Sequence, residues 1–171
     1  MTHVATFGGY ASLFNTPDRN GDIVSPGAFA HAIKPHKLKD VKLLYQHRPE
    51  QPIGRWSKLE EDSRGLWAEG EIILSSAAGR ECYSLLKGRA LDGLSIGFKM
   101  MRAEKFHRNR RITEADLWEV SIVTFPMAPG ARIAFVDEPE PQSSPPPTFS
   151  EYLAGATLAD ALRGAAFLLS A

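Results

Sequence analysis

Cysteine, net charge and long apolar runs are what this 171-residue chain has least of. Cys82 stands alone, which excludes an internal disulfide framework. Without Cys or His companions at ligand spacing it also argues against a structural zinc site. Twenty Lys+Arg balance twenty Asp+Glu, so no global field draws the chain to nucleic acid or to acidic membranes. Partners must be argued from local features. No run reaches the roughly 18 apolar residues that a membrane helix needs. The opening MTHVATFGGY has no basic segment followed by an apolar one, so neither secretion nor membrane insertion is expected and an intracellular protein is the default.

What is present is enough sequence for one domain with a real core. The alternating apolar pattern stops at DEPEPQSSPPPTFS, residues 137–150, a proline-rich acidic stretch that reads as an extended, solvated linker. The globular unit is therefore residues 1–136. Residues 151–171 form a short tail in which Thr157 and Asp160 have capping-box spacing. Leu158, Ala161, Leu162, Ala165 and Leu169 fall there on one helical stripe. Such a tethered amphipathic helix docks on its own domain or on a partner, or stays disordered.

Six short aromatic and β-branched segments predict strands: 4–14, 41–47, 53–59, 66–74, 93–101 and 117–125. Two helices are expected between them. SPGAFAHAI (25–33) offers Ser25 as N-cap and Pro26 at the first helical position, and SSAAGRECYSLLKGRA (75–90) carries Tyr83, Leu86 and Ala90 at helical spacing. The fold class is α+β, mainly β: a small antiparallel barrel or sheet with peripheral helices. No internal repeat is visible.

LDGLSIGF, residues 91–98, contains G-x-S-x-G, the spacing of a nucleophile elbow. An elbow runs strand, turn, helix, whereas here a helix and turn precede the serine and a strand follows it. Leu94, Ile96 and Phe98 alternate with Ser95, Gly97 and Lys99 as a strand requires. The elbow reading fails, and Ser95 needs a base to be a nucleophile at all. Of the five histidines, His3, His31, His36 and His107 read as solvated surface residues. His47 ends an apolar strand on the parity of Val41, Leu43 and Tyr45, before the turn at Pro49. The residues leave it open between a general base and a core-edge histidine bonded to a carbonyl. In LWEVSIVTF, parity places Glu119 with Leu117, Ser121 and Val123, opposite Trp118, Val120 and Ile122, on a largely apolar face where a carboxylate asks for a partner. That partner is a histidine, or an arginine of the basic loop KFHRNRR (105–111), or Arg132. Asp116 reads as an ordinary exposed acid.

Four blocks taken in order are more specific than any one of them: FGGYASLFNTPDRNGDIVSPGAF, LLYQHRPEQPIGRW, LDGLSIGF and LWEVSIVTFPMAPGA. With them, residues 4–136 resemble the HK97-type prohead (capsid maturation) serine proteases of tailed phages. That resemblance implies a fold related to the herpesvirus assembly proteases, a small β-barrel surrounded by helices. Carried over position by position, it implies His47 as general base, Ser95 as nucleophile and Glu119 as the third member. Arg132, or a backbone N–H near Ser95 or in FPMAPGAR, is expected to support the oxyanion. No metal or organic cofactor is implied.

The implied substrates are the major capsid protein or scaffold protein, and the protease itself, cleaved inside the immature procapsid in the host bacterial cytoplasm. The herpesvirus relatives imply a homodimer; neither membrane nor direct nucleic-acid binding is expected. The competing expectation is a non-catalytic capsid assembly or scaffolding factor that keeps a protease-like fold. A nucleic-acid module built on KFHRNRR is disfavoured by zero net charge and by the lack of interleaved aromatics.

Overall fold

The computed structural model describes residues 3–139. The amphipathic tail expected at 151–171, and the linker beyond residue 139, lie outside the described residues. Among the described residues there are eight strands: β1 (Val4–Leu13), β2 (Asp22–Val24), β3 (Lys42–Tyr45), β4 (Arg48–Glu61), β5 (Gly65–Ile73), β6 (Gly93–Phe106), β7 (Asn109–Val123) and β8 (Ile133–Val136). One α-helix, α1 (Ala77–Lys87), and one 3₁₀ segment, Pro35–Asp40, accompany them. Ser76 caps α1 by accepting the Gly79 N–H at 3.0 Å.

All eight strands form one curled sheet in the order β2-β7-β3-β4-β5-β1-β8, with β6 on β7. The long β6–β7 hairpin supplies one wall, and the other edge of β7 carries β2 and β3, both parallel to it. The remaining pairs are antiparallel. At one end the curl is stitched shut: Leu94 N–H donates to Ala131 O at 3.0 Å and Ile133 N–H to Asp92 O at 2.8 Å, while β8 pairs with β1. The mainly β, mainly antiparallel architecture expected from the segment pattern is what forms.

The core fills the inside of the curl. Phe7, Leu43, Ile53, Leu66, Ile72, Leu94, Ile112, Val120 and Ile122 are all fully buried, one alternate set from each main strand. Phe7 meets the Trp56 ring at 5.5 Å between centroids. Ordered contacts run just past β8, where Asp137 N–H donates to Thr6 O at 2.8 Å and Glu138 pairs with Lys87.

Two local expectations are corrected. Residues 25–33 form successive turns rather than a helix, because Gly27 adopts φ +86°, a left-handed conformation that interrupts helical propagation. Bonds such as Ala28 N–H to Ser25 O and Ala32 N–H to Phe29 O then close only single turns. KFHRNRR is not a loop: it is the tip of the β6–β7 hairpin, turning at His107–Arg108. Arg110 there forms a two-pronged pair with buried Asp22 at 2.8 and 2.6 Å, and Arg111 lies 3.9 Å from the Phe106 ring centroid. Much of the basic cluster is thereby engaged within the fold.

Candidate active site

Three neighbouring strands build the site in two rows. In the register of β3, β7 and β6, Lys42, Glu119 and Gly97 lie side by side, and Leu44, Ser121 and Ser95 form the next row. Aligned residues of neighbouring strands share a face, so Glu119, Ser121, Ser95 and Gly97 all project to one side. The opposite side carries Val120 and Ile122 into the core.

His47 comes to this face from a turn. β3 ends at Tyr45, and Gln46 and His47 both hold positive φ, 54° and 58°, before Arg48 opens β4. Positive φ at both central residues is the pattern of a type I′ hairpin turn. The strand-parity argument for His47 is therefore corrected: the residue lies in the turn, and Pro49 lies inside β4. Each left-handed non-glycine residue costs about 1–2 kcal/mol, and β7 holds both in place. Gln46 N–H donates to Ile122 O at 2.9 Å. The Gln46 side-chain amide both donates to Thr124 Oγ1 at 2.8 Å and accepts from Thr124 N–H at 3.2 Å. His47 N–H donates to Ser121 Oγ at 3.2 Å.

The imidazole meets Glu119 directly, Nδ1 to Oε1 at 2.6 Å, across 72 residues of sequence. The hydrogen bond to the Glu119 carboxylate raises the His47 pKa above its ordinary 6.5, against the opposing pull of partial burial. An ionised Glu119 places the ring proton on Nδ1 and leaves Nε2 as an acceptor. Ser121 Oγ–H donates to the second oxygen, Glu119 Oε2, at 2.5 Å. Glu119 is 14% exposed and the imidazole 42%, so the pair runs from interior to surface.

Gly97 explains the second glycine of the G-x-S-x-G spacing. A Cβ built there would stand 2.1 Å from Glu119 Oε1, so the carboxylate occupies the volume that any other residue would fill. A bulge next to it aims the acid. Gly97 pairs with Glu119 but Phe98 pairs with Leu117, which leaves Trp118 as the extra residue. Simple alternation puts Leu117 with Glu119, and Trp118 with Val120 and Ile122. The bulge reverses this: Leu117 is buried and Trp118 is 58% exposed, its indole donating to Asp116 at 3.0 Å.

Ser95 sits directly across from Ser121 and is 2% exposed. Its Oγ has no hydrogen-bond partner among the described residues. It lies in the wall of a cavity of about 210 Å³, with Ser12, Ile96, Phe98, Ile112 and Met127 among the other lining residues. The structure thus brings His47 and Glu119 into contact and puts Ser95 in the adjoining row, without a bond from Ser95 to the ring.

Arg132 is committed elsewhere. Its guanidinium pairs with Asp92 and donates to Pro129 O at 3.0 Å, while its backbone bridges to Gly93, two residues before Ser95. The sequence reading missed Ser121, Gly97 and the Gln46–Thr124 clasp as parts of the site. Ser121 was findable, since Glu-x-Ser on one strand puts both side chains on the same face; the clasp joins residues 78 apart and left no local signal.

The sequence model of the family described as Caudovirus prohead serine protease matches residues 1–142. The chain is 31% identical over 136 residues to the prohead protease of Enterobacteria phage HK97, covering 75% of this chain and 58% of that one. It is 32% identical over 122 residues to the prohead protease of Escherichia phage T5, covering 69% and 56%. The chain thus spans somewhat over half the length of these relatives. Among solved structures it is similar to KSHV protease, crystallised with a hexapeptide phosphonate inhibitor. That match has TM-score 0.57 and 16% identity, covers 92% of this chain and 79% of that one, and likens the folds alone. On the match over residues 1–142, this chain belongs to the caudovirus prohead serine protease family.

Proposed function

We propose that the chain is a serine endopeptidase of capsid maturation, with Ser95 as nucleophile, His47 as general base and Glu119 as the acid that orients the base. The observation that carries this reading is the 2.6 Å pairing of His47 Nδ1 with Glu119 beside the strand row that holds Ser95. In the proposed reaction His47 Nε2 takes the Ser95 proton as Oγ attacks a scissile peptide carbonyl. The imidazolium, stabilised by Glu119, then protonates the leaving amine, and water attacks the acyl-enzyme through the same base. Backbone N–H groups around Ser95 and in residues 125–132, with Arg132 as an added positive charge, are proposed to meet the oxyanion. Arg132 would have to leave Asp92 for its side chain to take part.

The proposed substrates are the major capsid protein or its scaffold, and the chain itself, cut inside the procapsid before genome entry. The prohead proteases of HK97 and T5 support this reading by family membership. The test is co-expression with the cognate capsid and scaffold proteins, wild type beside Ser95→Ala, with all products weighed by intact-mass spectrometry. Shortened products with wild type only are expected. One observation favours a second reading, a non-catalytic assembly factor: Ser95 is buried and its hydroxyl unbonded. Unchanged masses in both strains with particles still assembling would select it.

A further inference from the structure

The hydrogen bonds around Glu119 close on themselves. His47 N–H donates to Ser121 Oγ, Ser121 Oγ–H donates to Glu119 Oε2, and Glu119 Oε1 receives Nδ1–H of the same histidine. Ser121 is fully buried, on the strand that also carries Glu119, and directly across from Ser95. Its hydroxyl gives its only proton to a carboxylate and accepts one from a backbone amide, so it is held from both sides.

A glutamate has a long, rotatable side chain, and space for it exists because Gly97 has no Cβ. Two hydrogen bonds hold the carboxylate, one from His47 and one from Ser121, and the second decides which way it turns. With Oε2 tethered, Oε1 is left pointing at Nδ1. The same hydroxyl holds the backbone of a turn residue with φ 58°, so one group sets both the acid and the base.

We propose that Ser121 is a positioning residue that locks Glu119 and the His47 turn into register, the fourth member of this site. The proposal rests on the reading of His47, Ser95 and Glu119 as the reacting set, but its central test does not require cleavage. Ser121 is not itself a nucleophile in this account, because its proton goes to Glu119 rather than to the imidazole.

Charged groups near the ring come from three strands. Glu119 on β7 is the one that shifts it. Lys42, beside Glu119 on β3, directs its ammonium to Lys39 O at 2.9 Å, and Arg48 opens β4 as an exposed residue. β6 presents only Gly97 and Ser95 there. Release of Glu119 is therefore the main change that loss of Ser121 makes to the electrostatics of His47.

The experiment is a pH titration of the His47 ring by NMR in the full chain labelled with ¹⁵N-histidine. It compares wild type, Ser121→Ala, Ser121→Cys and Ser121→Thr, with His47 assigned by its loss in His47→Ala. Cysteine keeps the side-chain volume while weakening the donor, which preserves a readout if alanine does not fold. In Ala and Cys the midpoint is expected to fall toward 6.5 and the proton on Nδ1 to exchange faster; threonine, which keeps the hydroxyl, restores both. With substrate, kcat is expected to fall about 10- to 100-fold at unchanged KM. An unchanged or raised midpoint overturns the proposal, as does an electrophilic phosphonate that labels Ser121. A lowered midpoint in a chain that cleaves nothing supports the role of Ser121 and defeats the protease reading alone.

Discussion

Two hairpin turns in this molecule place a histidine at left-handed φ, and only one of them makes a site. Gln46–His47 joins β3 to β4 with φ 54° and 58°; His107–Arg108 joins β6 to β7 with His107 at 55°. The first turn is clasped by Gln46 to Thr124, just past β7, and by the His47 amide to Ser121 on β7, and its ring reaches Glu119. The second lies at the exposed tip of the hairpin, where the His107 ring packs edge-on against Phe106 at 4.8 Å. Residue type and backbone strain are shared. What differs is what stands opposite: a parallel neighbour strand carrying an acid and a serine on one face, or solvent.

The sharpest way to break this comparison is to delete each ring. His47→Ala is expected to lower cleavage by about 10³-fold or more, as loss of the proposed general base and its orienting pair should. His107→Ala should stay within about twofold. Comparable losses from both would mean that the clasp around His47 confers nothing catalytic. The measurement is the initial rate on a capsid-derived peptide cut by wild type.

Next in size are changes to the acid. Glu119→Gln keeps the shape and removes the charge, and is expected to cut turnover by orders of magnitude while changing stability far less. Gly97→Ala should act on the same atoms from the other side: its Cβ would collide with Oε1, so either the carboxylate or β6 must shift. Misplacement of this kind costs about 10²-fold in rate and about 1–3 kcal/mol in stability by overpacking. Rates and urea unfolding measured together separate the two. Wild-type turnover in folded Gly97→Ala would show that the observed position of Glu119 is not the working one.

A smaller effect lies in pH. Because Glu119 raises the His47 pKa in the folded state, the stabilisation from the protonated pair is fully present below 6.5 and is lost as pH rises through the raised value. On the proposed mechanism cleavage needs the neutral ring, so turnover should rise through the same interval. Activity and stability are therefore expected to run in opposite directions from pH 6.5 upward. In Glu119→Gln the residual acid limb should move back toward 6.5. An acid limb at or below 6.5 in wild type would break the link between the pair and the rate.

How much of this was legible beforehand depended on distance along the chain. Alternation in residues 93–101 placed Ser95 correctly on a strand, and the same pattern gave most of the curled sheet. Family-like blocks pointed to Glu119, but parity misassigned Leu117 and Trp118, because a bulge changes the phase and leaves no mark in residue type. His47 was assigned to a strand end for a related reason: Gln-His is not the Asn-Gly pair that announces a type I′ turn, and what sustains it are contacts from residues 121–124. The misread helix at 25–33 had good capping signals and one glycine whose φ the tertiary structure set at +86°.

The smallest expected effect tests whether the clasp sustains the strained turn. Glycine adopts left-handed φ without steric cost, so His107→Gly should relieve about 1–2 kcal/mol of strain, which added chain entropy and a lost ring contact reduce to a net gain of up to about 1 kcal/mol. Gln46→Gly relieves the same strain but deletes both bonds to Thr124. Two net hydrogen bonds of about 1 kcal/mol each outweigh that relief, so Gln46→Gly should destabilise by about 1 kcal/mol and His107→Gly should be neutral or stabilising. Urea midpoints at constant m-value read the difference. If both glycines stabilised equally, the His47 turn would be held no more firmly than the hairpin tip, and the contrast between the two histidines would rest on Glu119 alone.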